Sequence, residues 1–87
     1  MAKLVLSDMI QSHRVGEYEN AEDAIMVVGG TMSVMGIDYA RNRYLLTEAP
    51  NKKGVANIVY NPDDVWRRAL VYFNATHFKK RERSRGR

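Results

Sequence analysis

The chain has no cysteine, and only two prolines, two histidines and one tryptophan among its 87 residues. Without cysteine there is no disulfide framework, no thiol nucleophile and no thiolate-ligated zinc or iron–sulfur site. The two histidines, His13 and His77, are far apart in the chain and show no short metal-ligand spacing. No apolar run approaches the roughly 18–20 residues of a membrane-spanning helix. The first eight residues, Met-Ala-Lys-Leu-Val-Leu-Ser-Asp, hold too short an apolar stretch for a secretory signal. No Gly-Lys-Ser/Thr follows Gly29-Gly30, so the glycine pair is no phosphate loop. Asp8 near Ser7 and Ser12 lacks a histidine signature for triad chemistry. No enzyme, no cofactor and no membrane partner is expected, and the cytoplasm is the expected location, or the host cytoplasm or virion if the source is viral.

What is present is an ordinary globular composition, 45% hydrophobic and 28% charged, with a net charge of +4. The length suits one small domain. The charge is segregated. Residues 1–38 carry a net −4, residues 39–60 a net +3, residues 61–78 balance, and residues 79–87 carry +5. That division suggests a globular domain over 1–78 and a basic carboxyl-terminal tail over 79–87. A field directed in this way suits a polyanion.

Residues 3–14 read as a first helix closed by Gly16, with Leu4, Val5 and Met9 at helical spacing. Asn20 is an N-cap, followed by Glu22 and Asp23 in the first turn. Beyond it the apolar residues 21, 24, 25, 28, 32 and 35 form a helical stripe interrupted by Gly29-Gly30. Three segmentations are open: one helix to Met35 that stops at Gly36, two helices broken at the glycines, or a hairpin of 25–28 with 31–34. Asp38 caps a third helix, Tyr39–Glu48, stopped by Pro50; alternatively Tyr44–Glu48 is extended and pairs with the segment beyond Pro50. Asn51-Lys52-Lys53-Gly54 is a turn and Val55–Tyr60 a strand. Asn61-Pro62-Asp63-Asp64 opens a last helix whose anchors are Trp66, Leu70 and Phe73.

The stretch Asp38-Tyr-Ala-Arg-Asn-Arg-Tyr-Leu-Leu-Thr-Glu-Ala, followed by Pro50-Asn-Lys-Lys-Gly-Val-Ala-Asn-Ile-Val-Tyr and Asn61-Pro62-Asp63, resembles the second half of a winged helix-turn-helix domain. The likeness lies in element order and charge and covers residues 21–78. It implies a mostly helical α+β fold of three helices, a β-hairpin wing and a carboxyl-terminal helix. It also implies DNA binding, as in a small transcriptional regulator acting as a homodimer. Arg41, Asn42 and Arg43 are the residue types that read guanine and adenine edges from a recognition helix. Lys52 and Lys53 at a wing tip suit phosphates. Lys79, Lys80, Arg81, Arg83, Arg85 and Arg87 add salt-sensitive backbone affinity. DNA is favoured over RNA as the partner. The alternative is an adaptor or inhibitor that binds protein, or a small subunit of a larger viral or nucleoprotein assembly.

Overall fold

A computed structural model describes residues 3–85, with side chains through Thr76. The elements in order are β1 (Leu4–Asp8), β2 (His13–Tyr18), α1 (Ala21–Met35), a 3-10 turn (Asp38–Ala40), β3 (Tyr44–Glu48), β4 (Ile58–Tyr60) and α2 (Pro62–Arg85). The four strands form one sheet in the order β2-β1-β3-β4, each neighbouring pair antiparallel. The expected architecture of three helices and a wing is therefore corrected to two helices against a four-stranded sheet.

The first expected helix, 3–14, is a β-hairpin. Its apolar pattern has period two as well as a helical reading: Leu6 and Asp8 are buried on the helix-covered side, and Val5 and Ser7 line the opposite face. Asp8 makes the turn. Its Oδ1 accepts from the N–H groups of Ile10 and Gln11, each at 3.0 Å, and Ser12 takes the left-handed conformation at φ 57°. Gly16 is no helix cap but a residue of β2. A Cβ there would lie 2.8 Å from the Tyr18 hydroxyl, so the glycine makes room for the Tyr18 ring.

The stripe after Asn20 is one unbroken helix, the first of the three open segmentations. Asn20 Oδ1 accepts from the Asp23 N–H at 3.0 Å, and Gly36, at φ 106°, ends the helix by donating to the Met32 carbonyl at 2.9 Å. Gly29 has a packing reason: its Cα faces the Ala69 carbonyl of α2, 3.5 Å from where a Cβ would stand.

The expected helix Tyr39–Glu48 is also corrected. A single 3-10 turn is followed by Asn42 at φ 54° and then by β3. The extended alternative for Tyr44–Glu48 holds, because Tyr44 and Leu46 alternate into the core while Leu45 and Thr47 do not. Asn51–Gly54 is the turn expected, with Gly54 at φ 82°, and the strand after it is confined to Ile58–Tyr60. Asn61 Oδ1 accepts from the Asp64 N–H at 2.8 Å, which starts α2 at Pro62 as expected.

Both helices cover the same face of the sheet. Leu6, Tyr44 and Leu46 meet Ala24, Ile25, Val28 and Met32 of α1, with Val65 and Ala69 of α2, in one buried cluster. Trp66, Leu70 and Phe73 pack half-buried at its margin, so the deepest α2 anchors are the smaller Val65 and Ala69. The other sheet face holds an open cleft of about 430 Å³ between the two hairpins, lined by Val5, Ser7, Thr47, His13, Pro50 and Ala56 among others. No described helix is long and apolar enough to cross a membrane.

Candidate nucleic-acid interface

The basic residues expected to act together are dispersed. Arg43 is buried at 7% exposure. Its Nε donates to Asp8 Oδ2 at 2.9 Å, and its guanidinium lies 4.0 Å from the centre of the Tyr39 ring. It is a structural residue that ties the start of β3 to the end of β1. Burial alone would raise the Asp8 pKa. Bonds from the Gln11 N–H, the Arg43 side chain and the Ile10 N–H, with the Arg43 charge, outweigh it and hold the carboxyl below its ordinary value. Burial likewise works against the Arg43 charge, and the Asp8 carboxylate overcomes it and raises that pKa.

Arg41 and Asn42 lie in a turn, not on a helix. Arg41 stacks on the indole of Trp66, 5.0 Å from the ring centre, and Trp66 Nε1–H donates to the Ile37 carbonyl at 3.0 Å. Asn42 is exposed in the left-handed conformation that lets the chain enter β3. Lys52 and Lys53 are exposed at the β3–β4 turn, which is organised by Asn51 Oδ1 accepting from the Lys53 and Val55 N–H groups. The five-residue β3 stands between Arg41 and these lysines, a separation of roughly 17 Å at the usual strand rise. The side chains of Lys79, Lys80, Arg81, Arg83 and Arg85 lie outside the described residues, as does Arg87 altogether. The backbone of 79–85 belongs to α2.

The remaining cations are mostly engaged. Arg14 pairs with Glu17 at 2.6 Å, Arg67 with Asp63 at 2.7 Å, and Lys3 approaches Glu19 at 3.9 Å. Arg68 lies 5.3 Å from the centre of the Tyr60 ring. The five tyrosines are engaged within the domain: Tyr18, Tyr44 and Tyr60 join or pack on the helix-covered core, Tyr39 lies against the Arg43 guanidinium, and Tyr72 donates to Glu22 between the two helices. Among the described residues no cluster of three or more His, Asp or Glu side chains is placed to hold a metal ion.

Sequence reasoning missed Asp8 and Tyr39, whose partner is far along the chain from Asp8. The one signal was an acidic residue at a core-facing position of an otherwise alternating strand. No protein-family model, curated protein or solved structure matches this chain.

Proposed function

We propose that the protein binds nucleic acid through the basic end of α2, by contact with the phosphate backbone rather than by reading bases. The observation that supports this reading is the continuity of α2. The helix is anchored in the core by Val65 and Ala69 and runs without a break from Pro62 to Arg85. At 1.5 Å per residue its 24 residues span about 36 Å. Tyr72, Phe73 and Thr76 lie beside α1, and the helix continues along the chain through Lys79, Lys80, Arg81, Arg83 and Arg85. Cations at a helix carboxyl end also suit the helix dipole. A basic helix of this kind suits phosphates, and the dispersal of Arg41, Arg43 and the two lysines leaves base recognition without a carrier.

The test is fluorescence anisotropy with a labelled random duplex over a salt series. Each phosphate contact contributes a slope of about −0.9 in log K against log salt. Replacing Lys79, Lys80 and Arg81 with alanine is expected to flatten the slope by about 2.7 if all three touch phosphate. Unchanged affinity and slope in that variant would reject the reading.

A second reading, a protein-binding adaptor, is favoured by the outer surface of α1. Met26, Val27, Val34 and Met35 stand exposed there, Val34 at 81%. A partner that survives nuclease treatment in a pull-down and is lost with Val34→Glu would support this reading instead.

A further inference from the structure

We propose that two copies of this chain join through β2, edge to edge, so that the two sheets become one sheet of eight strands. The proposal is independent of the nucleic-acid reading. β2 is the terminal strand of the sheet and, at six residues, is twice as long as the opposite edge strand β4. Among the described residues no loop or side chain bonds to the main-chain groups along its outer edge. Main-chain groups left open in this way are a template for another strand.

The occupant is argued from charge and register. Arg14 and Glu17 are three residues apart, which in a regular strand puts them on opposite faces. Here a bulge intervenes. Gly16 pairs with Leu6 and Arg14 with Ser7, so Val15 has no counterpart on β1. Arg14 (opposite Ser7) and Glu17 (opposite Val5) therefore share the helix-free face, where they meet at 2.6 Å. Now let a second β2 lie antiparallel beside the first, with a two-fold axis between Val15 and Gly16. Arg14 of each copy then stands opposite Glu17 of the other. The extra residues of the two bulges meet at the axis, so neither strand falls out of step. Each carboxylate sits between two guanidiniums, in a closed ring of four alternating charges. A network of this sort contributes more than an isolated surface pair. The strand is self-complementary, which is what a two-fold interface requires.

The experiment exploits the absence of cysteine. Arg14→Cys chains and Glu17→Cys chains are prepared separately and mixed under mild oxidation. Directly opposed residues in an antiparallel pair have Cα atoms about 4.5–5.5 Å apart, within disulfide reach. The mixture is expected to form a disulfide-linked dimer, and either chain alone is not. In sedimentation velocity the wild-type chain is expected to form a dimer. Arg14→Glu, which sets like charges opposite each other at both symmetric positions, is expected to weaken it about tenfold or more, and Arg14→Glu with Glu17→Arg to restore it. Circular dichroism of each variant verifies that the fold is kept. A chain that sediments as a monomer at high micromolar concentration overturns the proposal; the bulge and charges then act to keep the edge unpaired. A dimer without the mixed disulfide overturns it too, and points to the exposed face of α1.

Discussion

Replacing Asp8 with alanine tests the most consequential polar contact in the fold. The Asp8 side chain does two things at once. Oδ2 faces the buried guanidinium of Arg43 at 2.9 Å, while Oδ1 accepts the Ile10 and Gln11 N–H bonds that shape the β1–β2 turn. With alanine in its place the cation stays buried without its carboxylate, and two turn donors lose their acceptor. Breaking a buried pair by removing one partner typically costs about 3–5 kcal/mol. The lower figure applies here, because the pair lies at the end of the strands in a small domain, where a small movement admits water. A loss of about 3 kcal/mol for Asp8→Ala corresponds to a fall in Tm of roughly 12–24 °C in a domain of this size. Asp8→Asn retains an acceptor for the turn and removes only the charge, so its loss is expected to be smaller. Thermal unfolding followed by circular dichroism measures both. A fall below about 4 °C for Asp8→Ala would mean that the ion pair adds little to the fold, and that the architecture rests on the apolar cluster alone.

The same carboxyl sets a pH dependence. Its pKa is lower in the folded chain than its ordinary value of 3.8, so between the two values the unfolded state binds more protons. Its contribution is fully present above the ordinary value and is lost as pH falls through the folded one. Urea midpoints of wild type and Asp8→Asn should therefore converge in that acidic window and differ at neutral pH. In α1, Gly30→Ala is expected to stabilise by up to about 1 kcal/mol, since a Cβ there meets nothing within 4 Å and an internal glycine weakens a helix. Gly29→Ala should gain less, because its Cβ comes to 3.5 Å from the Ala69 carbonyl; equal shifts in the urea midpoint would contradict this. Trp66→Phe removes the bond to the Ile37 carbonyl and is expected to cost about 1 kcal/mol, read as a lowered urea midpoint with an unchanged slope.

The legible parts of the fold were those specified by neighbours in the chain. Asn20 and Asn61 cap their helices through residues three positions on, and Gly54 opens a turn through its own backbone freedom. The unbroken α1 required knowledge of what Gly29 packs against, which is α2. The misread segments, 3–14 and 39–48, have apolar residues that satisfy both a helical and an alternating pattern over a short window. What separates the two patterns is pairing: β1 lies between β2 and β3, and β3 arrives from far along the chain. Arg43 misled for the same reason. Beside Arg41 and Asn42 it resembles part of a binding surface, yet its partner Asp8 is 35 residues away.

The basic middle of the sequence is therefore not a basic patch in space, and the difference bears on function. Arg14 and Arg67 are satisfied by carboxylates three and four residues away, and Arg43 by a distant one. Residues 1–78 sum to −1, while 79–87 carry +5. The body of the domain thus offers a polyanion no net attraction, and the whole excess positive charge belongs to the end of α2 and the residues after it. Under the proposed function such a division makes binding conditional on that segment: neutralising it reverses the sign of the net charge rather than merely reducing it. A recognition surface shared between the body and its tail would have required a positive body, and Asp8, Glu17 and Asp63 have already claimed the cations needed to make one.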